Sequence, residues 1–176
     1  MVDSSTSSTM SSTTESSYHP LYDKWTLWAH LPHDTDWTVV SYKKICTFTY
    51  IEEVIGVFNS IPDTLTKNCM LFIMREGIQP IWEDPKNRTG GCFSYKIINK
   101  QVPIAWKNLA YALMGETLTN DKKYRPFING ITISPKKNFC IMKVWTSTCK
   151  SQNPELINNI KGLSNHGCLF KKHLPD

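Results

Sequence analysis

The sequence predicts an α+β fold, a largely antiparallel sheet backed by helices on one face. Three observations carry that expectation. Apolar residues alternate with a period of two in segments that come in adjacent pairs, and they recur at helical spacing in three segments between them. No internal repeat appears, which argues against a solenoid or a propeller. The 176 residues suit one domain, and 40% hydrophobic with 20% charged residues describes a globular chain. No apolar run approaches the roughly 18 residues needed to span a bilayer.

Residues 1–17 are almost entirely Ser and Thr and cannot bury enough surface to offset chain entropy, so a disordered tail is expected. They have no basic and apolar regions of a secretory signal. From Tyr18 the texture changes. Trp25, Leu27, Ala29 and Leu31 alternate with Lys24, Thr26, Trp28 and His30, the pattern of a strand with one buried face. Pro32 to Asp36 is a loop, and Val39 to Thr47 reads as a second strand. Thr49 with Glu52 three residues later forms a capping box, opening a helix with Ile51, Val54, Ile55 and Phe58 as its apolar stripe and Pro62 ending it.

Cys69 to Met74 is a buried strand turned at Gly77, and Ile78 to Trp82 continues extended. Glu83 to Gly91 is a long polar turn, and Cys92 to Ile98 is another strand. Pro103 suits the first turn of a second helix carrying Trp106, Leu109, Ala110, Leu113 and Met114. Phe127 to Ser134 and Phe139 to Trp145 flank a Ser-Pro-Lys-Lys-Asn hairpin turn. Pro154 begins a third helix through about Leu163, and Gly167 to Lys172 forms a last strand.

Charge and cysteines narrow the function classes. The net charge is +5, but residues 18–176 hold 20 bases against 13 acids, or +7. That is a modest attraction for phosphate-bearing partners, far short of a duplex-wrapping protein, and neither DNA nor a membrane is an expected partner. Cys46, Cys69, Cys92, Cys140, Cys149 and Cys168 include no C-x-x-C pair, so free thiols in a reducing compartment are expected. His30 and His33 lie close together but are separated by Pro32, with no Cys nearby, and no metal or cofactor is expected. There is no G-x-S-x-G, phosphate loop, G-x-G-x-x-G or H-E-x-x-H, so a binding protein rather than an enzyme is expected.

The six tryptophans are more informative. Trp25, Trp28 and Trp106 sit inside periodic elements and read as core. Trp37 follows a polar loop, and Trp82 stands directly before Glu83-Asp84-Pro85. An indole at a loop edge offers a flat face to a base, worth roughly 1–3 kcal/mol per stacked base. A carboxylate beside it can accept two N–H bonds from the guanine edge, and a cationic ring gains further from the indole quadrupole.

In order, His19-Pro20-Leu21, Trp25-Thr26-Leu27-Trp28, Trp37, the run from Gly77 to Asn87, Gly90-Gly91, Gly115-Glu116 and Val144-Trp145-Thr146 closely resemble the eukaryotic translation initiation factor 4E family. The resemblance runs from His19 to about Thr148 and more loosely to His173. It implies a curved antiparallel sheet of about eight strands with three helices on its convex face, a cap-binding domain over 18–176. It also implies a concave slot for the 7-methylguanosine cap of mRNA and a role in the cytoplasm. Trp37 and Trp82 match the two indoles that sandwich the methylated base, Glu83 the carboxylate on the guanine edge, and Trp145 the tryptophan near the N7-methyl group.

The family's usual phosphate-gripping bases fall on Cys92, Ser134 and Ile141 here. Lys136, Lys137 and Lys143 are either their replacements or merely solvated hairpin lysines. On the convex face the family binds a helical peptide of a scaffold factor or of repressors. His19 and Pro20 match that face, and Ile51 stands for the usual Val. Ile55 stands at the Trp position, and Lys107, Asn108 and Tyr111 replace Leu, an acid and Leu. That implies a scaffold initiation factor or a dedicated helical-peptide partner. Three functions stay open: recruitment of capped mRNA, a cap-binding repressor or specialised homologue, and a protein-interaction module without cap binding. The abundance of Ile, Asn and Lys is compatible with an AT-rich genome, as in a protist or a large DNA virus.

Overall fold

A computed structural model describes residues 18–174, so the expected Ser/Thr-rich tail lies outside the described residues. The chain forms one curved antiparallel sheet in the order β2-β1-β3-β5-β6-β4-β7. These strands are β1 Pro20–His30, β2 Tyr42–Tyr50, β3 Met70–Arg75, β4 Gly91–Ile98, β5 Ile128–Pro135, β6 Phe139–Thr146 and β7 Leu169–Lys172. The helices are α1 Ile51–Ser60, α2 Asp63–Asn68, the single turn α3 Pro85–Arg88, and α4 Val102–Met114. Among the described residues no helix is long and apolar enough to cross a membrane.

The period-two pattern sorts side chains onto two faces. On one, Trp25, Leu27, Leu71, Ile73, Ile131, Ile133, Met142, Val144, Phe93 and Tyr95 pack against Val54 and Phe58 of α1 and Trp106, Leu109 and Leu113 of α4. On the other, Phe72, Met74, Ile78, Cys92 and Trp145 form a smaller cluster with Trp28, Tyr42 and Met70 against it. β1 therefore departs from the expected single buried face: Thr26 and His30 are buried as well, while Leu31 lies beyond the strand and is exposed. The second face is covered by the cluster around Phe72 and Trp28 and by the Trp37 indole stacked on His30.

Several expected elements are corrected. The sheet has seven strands among the described residues rather than about eight, because Ile78 to Trp82 is not a strand. Its polar backbone groups are met by side chains instead of a neighbouring strand: Gln79 N–H donates to Asp84, and the Gln79 and Ile81 carbonyls accept from Asn87. The second strand starts at Tyr42, since Val39–Ser41 closes a 3-10 turn with Ser41 N–H on the Thr38 carbonyl. The acid capping α1 is Glu53, which accepts from the Thr49 and Tyr50 N–H groups at 2.7 and 3.0 Å. Glu52 instead holds His19, whose backbone N–H lies 3.1 Å and whose Nδ1 lies 2.6 Å from its carboxylate.

Of the apolar stripe on α1, Val54 and Phe58 are core, whereas Ile51 and Ile55 are exposed. The helix expected from Pro154 to Leu163 is a 3-10 turn, Pro154–Leu156. Beyond it Asn158 bonds away from its own segment, N–H to the Leu118 carbonyl and side chain to the Thr117 carbonyl. The third helix of the helical face is α2 in its place, packed against α4 and β5.

Trp106 is 1% exposed and anchors α4 in the core. Trp106→Ala removes that large side chain and is expected to cost about 3–5 kcal/mol, read as a lowered midpoint in thermal unfolding followed by circular dichroism.

Candidate nucleotide-binding face

The concave face can be read rung by rung, because residues directly paired across an antiparallel ladder share a face. One rung runs Thr26, Met74, Gly130, Trp145, Cys92, Lys171. The next runs Trp28, Phe72, Thr132, Lys143, Ser94, Leu169. Further along, Ser134 pairs with Ile141 and Ile141 with Lys96.

Trp145 is 7% exposed and sits on this floor, while Trp37 and Trp82 are 57% and 45% exposed on loops at its rim. The loop of Trp82 and Glu83 is fixed from beneath by a buried polar network. Gly77 lets the chain turn out of β3 with φ +78°, and the Ile78 N–H closes the turn on the Arg75 carbonyl. Asp84 accepts from Gln79 N–H at 2.9 Å and from Lys86 N–H at 2.8 Å, which starts α3.

Asn87 is fully buried and donates its amide to the Gln79 and Ile81 carbonyls at 3.0 and 2.8 Å. Its side-chain oxygen accepts from Asn129 of β5 at 2.9 Å, and its carbonyl accepts from His173 Nδ1 at 2.7 Å. Since a carbonyl can only accept, Nδ1 of His173 carries the proton. Burial, followed by the positive charge of Lys143, depresses the His173 pKa against a raising contribution from the Asn87 carbonyl. The His173 ring then packs on Trp145 with centroids 4.8 Å apart. The loop of Trp82, the floor at Trp145 and the end of the chain are thus joined through one amide. Gly90 and Gly91 allow the close approach this needs, since a Cβ on either would collide with backbone, at Thr146 and at Lys171 respectively.

Trp37 is held differently. Its indole lies flat on the buried His30 ring, centroids 4.1 Å apart and planes 3° from parallel. His30 packs edge-on against Tyr42, and Tyr42 against Phe72 of the floor. Burial raises the Tyr42 pKa, with the negative charge of Glu83 adding to it, so Glu83 lies within electrostatic reach of the Trp37 support.

The three candidate lysines divide between the floor and the hairpin tip. Lys143 lies two residues from Trp145 on the same face, close enough to act on His173. Lys136 and Lys137 are exposed at the hairpin tip, where Lys136 N–H donates to the Phe139 carbonyl. At about 3.4 Å per residue they stand roughly 20 Å along β6 from Trp145. The hairpin continues as paired strands up to Pro135 and Phe139 and so carries its tip away from the floor. Lys96 and Lys171, not singled out from the sequence, lie on the concave face opposite Ile141 and Cys92. Cross-strand register is the signal that finds them.

On the helical face a groove of about 860 Å³ is lined by Pro20, Ile51, Ile55 and Tyr111. Met114 and Leu21 line it too and were not singled out, although Met114 belongs to the stripe of α4. His19 is tied to Glu52 beside this groove. Lys107 and Asn108 are engaged elsewhere, Lys107 Nζ with Asn59 at 2.7 Å and the Asn108 amide with the Lys161 carbonyl at 3.1 Å. Arg75 pairs with Asp23 and Glu116 and lies 4.4 Å over the Trp25 ring.

The family model for eukaryotic initiation factor 4E matches residues 20–171. The chain belongs to that family. It is 30% identical over 141 residues to eukaryotic translation initiation factor 4E of Candida albicans, covering 74% of this chain and 66% of that one. With the initiation factor 4E homolog of Acanthamoeba polyphaga mimivirus it shares 34% over 128 residues, 65% of this chain and 47% of the relative. The chain therefore spans less than two thirds of the length of these curated relatives. The crystal structure of a schistosome initiation factor 4E complexed with m7GpppG and 4E-BP superposes with a TM-score of 0.69 at 25% identity, covering 76% of this chain and 75% of that one.

Asn87→Ala leaves the Gln79 and Ile81 carbonyls and the Asn129 amide without their partner. Each orphaned buried group costs about 1–3 kcal/mol, so the expected outcome is a lower urea midpoint. The loop of Trp82 should also become more mobile, read as faster amide exchange over residues 78–88.

Proposed function

We propose that the chain binds the 7-methylguanosine cap of mRNA on its concave face and recruits capped mRNA to translation initiation in the cytoplasm, without catalytic chemistry of its own. The observation that carries this reading is the pairing of an exposed, pre-positioned Trp82-Glu83 edge with an exposed Trp37 braced on His30. Both stand above a floor containing Trp145. Trp37 and Trp82 stack on the two sides of the methylated base, each contact worth roughly 1–3 kcal/mol. Glu83 accepts the two guanine N–H groups, and Trp145 lies against the N7-methyl group. Loops held in place before binding lose less freedom on binding, which favours affinity. Membership in the family and the cap complex of the schistosome relative support the same reading.

For the phosphates, Lys143 is the nearest basic side chain along the strand from Trp145, with Lys96 and Lys171 across from Ile141 and Cys92. Each of those two lysines faces a position where the family's usual base is missing. Lys136 and Lys137 serve RNA beyond the first phosphates, if the strand runs along the hairpin.

On the helical face the groove around Pro20, Ile51, Ile55 and Tyr111 receives an amphipathic helix of a scaffold initiation factor or a dedicated partner. Ile55 in place of an indole, and Lys107 directed at Asn59 and lying over the Tyr111 ring, favour the dedicated partner. A cap-binding regulator that engages a special partner is thus the second reading.

Trp82→Ala and Glu83→Ala are each expected to weaken 7-methyl-GTP binding about tenfold or more, measured by quenching of the remaining tryptophan fluorescence. Variants that bind as the wild type does would contradict the assignment. Lys143→Ala is expected to lower the slope of log affinity against log salt by about one, while Lys136→Ala leaves the slope for the mononucleotide unchanged.

A further inference from the structure

His30 is an unusual support for an exposed indole. It is 3% exposed, at the end of a central strand, where an apolar ring would suffice to brace Trp37. Its Nε2 donates to the Asp36 carbonyl at 2.8 Å, which fixes the proton on Nε2 and leaves Nδ1 bare in the neutral ring. The same loop is tied down independently. Asp36 accepts from Thr38 N–H at 2.8 Å and from the Thr38 hydroxyl at 2.9 Å, and Asp34 accepts from Asp36 N–H at 3.0 Å. The indole between Asp36 and Thr38 therefore has one face on an immobile imidazole, and its 57% exposure leaves the other face to solvent.

We propose that His30 is a positioning and specificity residue for Trp37, a neutral platform whose protonation weakens binding of a cationic base to the opposite face of that indole. The inference rests on the reading of Trp37 as a cap-base contact. Two cations on opposite faces of one indole share a single quadrupole and repel each other through it, whereas a neutral imidazole leaves that attraction to the ligand. The Nε2–H bond to Asp36 is present in either charge state, so the geometry of the stack is kept while its charge changes. Histidine is the side chain whose charge ordinarily changes between about pH 5 and 8.

The groups facing His30 are few. From the loop, the Asp36 carboxylate is held below its ordinary range, chiefly by the Thr38 N–H and hydroxyl, with His30 and Lys43 contributing. From β2, Tyr42 meets the ring edge, its own hydroxyl pushed up by burial and by Glu83. Beside β3, the Cys69 thiol donates to the His30 carbonyl at 3.4 Å and is pushed up by burial. These titratable groups remain when His30 alone is replaced, so the difference in pH dependence between the wild type and His30→Phe isolates the charge of the imidazole.

The test is fluorescence titration of the full chain with 7-methyl-GTP and with GTP from pH 5.5 to 8, for the wild type, His30→Phe and His30→Ala. His30→Phe keeps a flat ring under Trp37 without charge but gives up the Nε2–H bond to the Asp36 carbonyl, so each protein's affinity is expressed relative to its own value at pH 8. On that scale, toward pH 5.5, His30→Phe should bind 7-methyl-GTP roughly threefold to tenfold more tightly than the wild type, with little difference for GTP. His30→Ala should bind more weakly at every pH. Identical pH profiles for the wild type and His30→Phe, or wild-type affinity in His30→Ala, overturn the inference.

Should the variants fail to fold, the His30 imidazole resonance of the wild type gives the reciprocal measurement. Saturating 7-methyl-GTP should lower its titration midpoint by the logarithm of the same factor, and an unmoved midpoint overturns the inference. A wild type without preference for the methylated nucleotide overturns the cap-binding reading and this inference with it. A retained preference with identical profiles overturns this inference alone.

Discussion

The Trp82 side of the concave face depends on one buried carboxamide. Asn87 fills a position that no solvent reaches, and its carboxamide donates both protons to the Gln79 and Ile81 carbonyls and accepts from Asn129, joining α3 to two separate parts of the chain. Without it the segment after β3 has carbonyls with no strand to pair with. With it, an irregular run of residues becomes as fixed as a strand while keeping its side chains free. That is how Trp82 and Glu83 come to be exposed and yet held. The His173 bond to the Asn87 carbonyl extends the same support to Trp145 through ring contact.

The sheet supplies what this network rests on. Its helical face carries the larger apolar cluster, with Trp25, Trp106 and the ridge of α4, and most of the hydrophobic stabilisation lies there. The smaller cluster on the other face can therefore be devoted to a floor of Phe72, Met74, Cys92 and Trp145, with polar and basic residues around it. The two rim tryptophans are braced by unlike devices, a buried amide for one and a stacked imidazole for the other. The second device sets a titratable ring directly against the indole it braces, whereas the amide that braces the first carries no charge.

How much of this was legible in the sequence follows from whether the cause was local. The strand alternation from Trp25 to His30, the α4 stripe and the hairpin at Lys136 depend on near neighbours and were readable. The Pro154–Leu163 segment was misread because Asn158 is bonded to Thr117 and Leu118, about forty positions away. α2 was missed because Asp63–Asn68 has a single large apolar residue, Leu65, and no stripe to find. The acid that caps α1 was misassigned by one position, since Glu52 and Glu53 are adjacent and the claim of His19 on Glu52 is long-range.

The candidate site shows the same division. Trp82-Glu83 and Trp145 stood out as residues, but the bond from Asn87 that positions the first pair carries no sequence signature. Lys96 and Lys171 become visible only through cross-strand register, and the spacing that groups Lys136 and Lys137 with Lys143 does not reveal that the hairpin tip stands along β6 from Trp145. The alternation puts His30 on the strand face opposite the apolar one, and nothing in the sequence joins it to Trp37 seven positions on.

The central claim is that this face recognises a methylated, positively charged guanine. Calorimetric titration of the wild-type chain with 7-methyl-GTP and with GTP under one buffer condition tests it most directly. The account predicts a preference for the methylated nucleotide of about tenfold or more, from cation–π attraction to the flanking indoles. Equal affinity for the two nucleotides would contradict it.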